Sequence, residues 1–146
     1  MSTTETAHPS SRTLVVIPNY NGLRFLPDCM AALAHQTVTD FTILVIDNAS
    51  GAEDIRWLQS WQAEDPVHHQ LQLNDQNLGF SGAVNQGIRQ ALAEHYDFTL
   101  LLNNDTKVHP DFIEALEARM DQDPKERIFA LSSKMVKMHD PHEIDD

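Results

Sequence analysis

Apolar runs of strand length alternate along this chain with stretches whose apolar residues recur at helical spacing. Arg12 to Ile17 (RTLVVI) and Phe41 to Ile46 (FTILVI) are short, β-branched and continuous, as strands covered on both faces are. Gln70 to Leu73 is a weaker third run and Phe98 to Leu102 a fourth. Pro18 is expected to end the first, because proline cannot donate to a ladder. Between the runs, Leu26, Met30 and Leu33 mark a helix ending near His35 and Gln36. Pro27 suits its first turn and Asp28 its positive dipole end. Asp54 to Gln62 carries Ile55, Leu58 and Trp61 or Gln62 on one face and stops at Asp65-Pro66. Val84, Ile88, Ala91 and Leu92 continue at helical spacing to about His95. Ile113, Leu116 and Met120 form a last stripe behind His109-Pro110-Asp111, with Asp123-Pro124 closing it. Ile128 to Leu131 is a candidate fifth strand. Such alternation predicts an α/β domain: a mainly parallel sheet with helices on both faces. Residues 1–11 read as a disordered polar leader, 12–137 as the domain, and 138–146 as an acidic tail without predicted structure or as the start of a further half.

The strand ends carry the chemistry. Thr99 to Val108 reads TLLLNNDTKV, an apolar run that stops abruptly in two amides, a carboxylate and a hydroxyl. Similar polar clusters follow the other strands: Asn19 to Asn21, Asp47 to Ser50, and Asn74 to Asn77. In a parallel sheet these ends share one edge, where open α/β sheets bind ligands. Asp105 there can hold a hard cation through oxygen. The competing reading is that Asn and Asp simply make turns. The clusters are rich in amides and carboxylates and almost free of lysine, which favours a ligand site.

Composition narrows the choice. A chain of 146 residues with 41% apolar content suits one globular domain. No apolar run is long enough to cross a membrane, and the N-terminus lacks a signal-peptide core. Cys29 is the single cysteine, so neither an internal disulfide nor a cysteine zinc set can form, and a cytoplasmic setting is expected, with the membrane surface as a second possibility for a longer protein. A net charge of −12 argues against a nucleic-acid partner. An anionic ligand would need a metal or helix N-termini. The glycine-bearing segment Leu78 to Gly82 lacks the Gly-Lys-Ser/Thr ending of a P-loop. It also follows the third strand, whereas a dinucleotide fingerprint follows the first. His68-His69 lacks metalloprotease spacing and is expected in an exposed loop.

VVIPNYNG, a helix ending HQT, FTILVIDNAS, NLGFSGAVNQGI and LLNNDT, in this order, resemble the family 2 glycosyltransferases. The resemblance covers residues 12 to about 136 and implies the GT-A fold and inverting transfer from a nucleotide-diphosphate sugar. The NLGF and NND spellings resemble rhamnosyltransferase-like members, which implies dTDP-rhamnose or a UDP-sugar as donor and a role in polysaccharide or cell-wall synthesis. Carried over by position, Tyr20 would lie against the nucleotide base, with Pro18 shaping that wall. Asp47 or Asn48 would bond the pyrimidine edge, and Asn77 and Gly79 would approach the nucleotide. Asn85 matches a family asparagine with a structural role. Asn103-Asn104-Asp105 matches the DxD position, with Asn104 toward the ribose and Asp105 on Mg²⁺ or Mn²⁺ bridging the diphosphate. The cation would stabilise the leaving diphosphate while a carboxylate deprotonates a glycan or lipid-linked acceptor.

Two departures stand out. The metal motif has one carboxylate, and Val84 occupies a position where some relatives carry a basic residue. No segment matches the family's general base, which is expected beyond residue 146. Asp111, Glu114 and Glu117 read as a solvated helix face and are not nominated. The chain therefore reads as the donor-binding half of a longer enzyme, inactive alone, with a non-catalytic nucleotide-binding module as the alternative. A sugar nucleotidyltransferase is disfavoured, because PNYNG lacks the glycine-rich, arginine-bearing loop of that class.

Overall fold

The computed structural model describes residues 11–123, 130–131, 136–137 and 140–144. Four strands, β1 (Thr13–Asn19), β2 (Phe41–Asp47), β3 (His69–Leu73) and β4 (Phe98–Leu101), form one sheet in the order β3-β2-β1-β4. Every pairing is parallel. Helices α1 (Leu26–Ala34), α2 (Ala52–Glu64) and α3 (Gly79–Ala93) provide the crossovers, and α4 (Phe112–Asp121) follows β4. The chain moves outward from β1 to β3 and then jumps to β4 on the far side of β1. That reversal opens a crevice between the ends of β1 and β4, the place where open parallel sheets take ligands.

Alternation along the central strands sorts the core into two layers. Val15, Ile17, Ile43 and Val45 pack with Leu26, Leu33, Leu58, Trp61 and Ile113 of α1, α2 and α4. Leu14, Val16, Leu44 and Ile46 pack with Ala83 and Ala91 of α3. Leu14 to Ile17 are fully buried, which stabilises the fold by about 1.5–3 kcal/mol per side chain. Gly87 lets α3 sit directly on the sheet, since a Cβ there would collide with Val16.

Several expectations need correction. β1 runs through Pro18 to Asn19. Leu102 N–H donates to the Val16 carbonyl and Asn48 N–H to that of Asn19, so alternate residues of β1 serve alternate neighbours. Pro18 falls on the β4 side, where pairing has ended at Val16 and Leu101, so its missing N–H costs the ladder nothing. Ser11 belongs to the packed chain rather than to a leader: it is buried, with its hydroxyl 2.7 Å from that of Thr42. His69 is the first residue of β3 rather than a loop residue, and it stacks flat on Trp61 with ring centroids 4.2 Å apart. The acidic tail contributes a strand, β6 (Asp140–Ile144), antiparallel to β5 (Val136–Lys137). The candidate strand at 128–131 lies mostly outside the described residues, and Ala130 and Leu131 are not in a strand.

Candidate functional site

A hollow of about 340 Å³ lies at the carboxyl ends of the strands. Pro18 and Asn19 line it from the end of β1 and Tyr20 from just beyond it, Asn48 from just after β2, Asn77 from the loop before α3, Gly79 and Phe80 from the first turn of α3, and Asn103, Asn104 and Asp105 from the loop after β4. Segments far apart in sequence thus converge on one rim. Of the residues singled out from the sequence, Pro18, Tyr20, Asn48, Asn77, Gly79, Asn104 and Asp105 all lie on this lining. Asp47 does not. It is 1% exposed, and its carboxylate accepts bonds from Asn19 Nδ2 (2.9 Å), Ser50 N (2.9 Å) and Ser50 Oγ (2.7 Å). That closes the turn after β2, in which Ala49 takes a left-handed φ of 64°. Asn85 is exposed on α3 and lies outside the lining, while Val84 is buried in the helix interface.

Asn19, grouped in sequence with Asn21 as a strand-end cluster, was given no role of its own. It is buried, and its Nδ2 reaches Asp47 Oδ1 at 2.9 Å and Asp54 Oδ2 of α2 at 3.1 Å. Its Oδ1 accepts Asn104 Nδ2 at 2.8 Å. One amide thereby ties the ends of β1, β2 and β4 to the start of α2. Gly22 is required by this closure, because a Cβ would collide with the bonded Asn19 and Asn104 amides. The only sequence signal was that Asn19 is the first polar residue after a buried run. Asn21, with φ 50°, joins neighbouring loops through Ser50 Oγ on its N–H and Gly51 N–H on its Oδ1.

Asp105 is exposed on the rim and, among the described residues, is the only carboxylate on the lining, which includes no described lysine or arginine. Among the described residues no group of three or more His, Cys, Asp or Glu could hold a metal ion. Asp105 with its neighbouring amides therefore suits a hard cation only if a ligand and water complete the shell. Cys29 lies beneath the same loop, its Sγ 4.0 Å from the Asn103 carbonyl. Burial pushes this thiol up to about 11. The acids of the α4 region are engaged elsewhere: Glu114 accepts Thr37 Oγ1 at 2.6 Å and Glu117 accepts Thr13 Oγ1 at 2.7 Å.

The parallel sheet with its flanking helices has the GT-A fold, which solved glycosyltransferase structures share. S. aureus TarS in complex with UDP-GlcNAc superposes with TM-score 0.67 at 18% identity, over 76% of this chain and 31% of that one. The mannosyltransferase PcManGT from Pyrobaculum calidifontis, in complex with GDP-Man and Mn²⁺, gives 0.66 at 18% identity, over 77% and 33%. The chain belongs to glycosyl transferase family 2, whose profile matches residues 14–131. It is 32% identical over 100 residues to undecaprenyl-phosphate mannosyltransferase of Micrococcus luteus, covering 68% of this chain and 40% of that protein. It is 31% identical over 107 residues to the uncharacterized glycosyltransferase YibD of Escherichia coli, covering 73% and 30%. The chain thus spans less than half the length of the relatives it matches. Among the described residues no helix is long and apolar enough to cross a membrane.

Proposed function

We propose that this chain is the donor-binding part of a glycosyltransferase that takes a nucleoside-diphosphate sugar together with a divalent cation and supports inverting transfer to an acceptor hydroxyl. The observation that carries the reading is the convergence of Tyr20, Asn48, Asn77, Gly79, Asn104 and Asp105 on one rim at the switch point of the sheet. Tyr20 offers a flat face to a base. Asn104, anchored by Nδ2 to Asn19, keeps its Oδ1 for a ribose hydroxyl. Asp105 would hold Mg²⁺ or Mn²⁺, which supplies charge stabilisation for the departing diphosphate. With no basic side chain among the described lining residues, a diphosphate depends on that cation and on the N-terminus of α3.

The dTDP-rhamnose reading rests on the NLGF and NND spellings alone. The Micrococcus relative is a mannosyltransferase, and the structures that share the fold hold UDP-GlcNAc and GDP-Man, so we assign the donor as a nucleoside-diphosphate hexose. A polyprenyl phosphate is a natural acceptor class, after the name of the Micrococcus relative. One observation favours the second reading, a nucleotide-binding module without transfer activity: among the described residues Asp105 is the sole lining carboxylate, and a carboxylate holding a metal cannot also deprotonate an acceptor.

Titration calorimetry with UDP, dTDP and GDP, in Mn²⁺ and then in chelator, tests the donor site. Chelator and Asp105→Ala should each weaken binding by at least about tenfold, the range of one charge-assisted contact. Equal affinity with and without metal removes Asp105 from its role.

A further inference from the structure

Two large aromatic side chains stand open on the rim of the hollow: Tyr20 is 55% exposed and Phe80 59%. A single exposed apolar residue is ordinary. Phe80, however, is presented by a turn that is tied down on every side. Asn48, 3% exposed, donates from Nδ2 to the Gly79 carbonyl at 3.1 Å and accepts Leu78 N–H on Oδ1 at 3.3 Å. Asn74 Nδ2 adds a second donor to that oxygen at 3.1 Å, and Asn74 is itself paired with Gln86 in both directions. Asn77 Oδ1 accepts Gly79 N–H at 2.8 Å. Gly79 has φ 76°, a conformation that costs any other residue about 1–2 kcal/mol.

The backbone fixes which way the Asn48 amide faces, since Leu78 N–H can only donate and the Gly79 carbonyl can only accept. Its oxygen is therefore spent on the turn, and one N–H is all it keeps for the hollow. Asn48 cannot accept the ring N–H of a uracil or thymine while these bonds persist. Asn48 then offers a base edge a single donor at most, which puts weight on recognition of the base through its faces.

We propose that Phe80 is the second wall of an aromatic slot whose first wall is Tyr20, that the slot takes the flat ring of the donor's base, and that Asn48 is a positioning residue that sets Phe80 there. The proposal rests on the nucleotide-sugar reading above. It predicts modest discrimination between bases, because every base has an aromatic face.

Calorimetry on the whole chain with Mn²⁺ separates the outcomes, with pyrophosphate as a probe that has no base. Phe80→Ala should weaken UDP and GDP alike by about tenfold, and Phe80→Trp should restore most of that. Pyrophosphate affinity should be the same in all three proteins. Asn48→Asp keeps an acceptor but loses the bond to Gly79, so it should weaken both nucleotides equally. Urea midpoints confirm that the variants fold. Unchanged nucleotide affinity in Phe80→Ala, an equal loss of pyrophosphate, or a gain for UDP over GDP in Asn48→Asp would each overturn the slot. Should the wild-type chain bind neither nucleotide nor pyrophosphate, the donor reading itself fails and the slot with it.

Discussion

The strands of this sheet have a hollow at each end, and the two differ in size and in chemistry. The wider one, about 620 Å³, lies between α1 and α2 at the amino ends of β2 and β3. Met30, Val38, Phe41, Trp57, Trp61 and His69 line it. The narrower one, at the carboxyl ends, is walled by amides, two aromatics and one carboxylate. Volume and apolar lining would favour the first as a ligand site. Yet Met30, Ile43 and Trp61 there belong to the core that packs α1 and α2 on the sheet. The second is built on a polar network that buries Asn19, Asp47, Asn48 and Asp54, and no buried side-chain polar atom among the described residues lacks a partner. A half-satisfied polar network is worse than an apolar core, so a satisfied one marks a place where geometry is held for a purpose. One end stabilises the fold, and the other is shaped for binding.

The largest expected effect attacks the amino-end hollow. Trp61 is 4% exposed and lies against His69, whose Nδ1 is 2.8 Å from the Trp61 carbonyl oxygen. Trp61→Ala should lower the unfolding free energy by about 3–5 kcal/mol in urea titrations. The folded fraction should bind nucleotide as the wild type does. A parallel loss of affinity would mean that the two ends are not independent, and the division drawn above would fail.

Asn19→Ala strikes the other end. It removes the donor shared by the Asp47 and Asp54 carboxylates and the acceptor for Asn104. Leaving buried carboxylates without that donor should cost about 2–4 kcal/mol. Here nucleotide affinity should fall as well, because Asn104 is released from its anchor. Urea unfolding and calorimetry on the same sample read both. Destabilisation without loss of affinity would reduce the network to a structural tie.

How far the sequence foretold each end follows from the same contrast. The four strands, their parallel order and the helices between them were visible because Val, Ile and Leu fall in runs or at helical spacing, and periodicity reports burial directly. The convergence of Tyr20, Asn48 and Asp105 was legible because strand ends in a parallel sheet share one edge. Orientation within that edge was not. Asp47 and Asn48 are adjacent and equally polar, yet one closes its own turn while the other holds the start of α3. Asn19 and Pro18 were misjudged together, since proline was expected to stop β1. Only the neighbour's end at Leu101 shows why it does not. Phe80 was read only as part of the glycine-bearing segment Leu78 to Gly82, and nothing in its spacing says that it opens α3 exposed on the rim.

A smaller effect separates the two ends by pH. Cys29 is raised from its ordinary 9.0 to about 11, first by burial, and the negative charge of Asp105 adds to the shift. The folded chain therefore keeps the thiol proton between those values, while the unfolded chain gives it up. Above pH 9 the unfolded state binds fewer protons, so stability falls as pH rises and continues to fall until about 11. Two pH units correspond to about 2–3 kcal/mol at full effect. Tyr96, also raised by burial, adds to the slope in the same direction. Cys29→Ala isolates the thiol: its urea midpoint should decline less steeply from pH 9 to 11 than that of the wild type, whatever the two proteins' stabilities at pH 7. Trp61→Ala, altered at the far end, should keep the wild-type slope. Identical slopes in wild type and Cys29→Ala would place the thiol in contact with water, and the loop that carries Asp105 would then be looser than its packing over Cys29 implies.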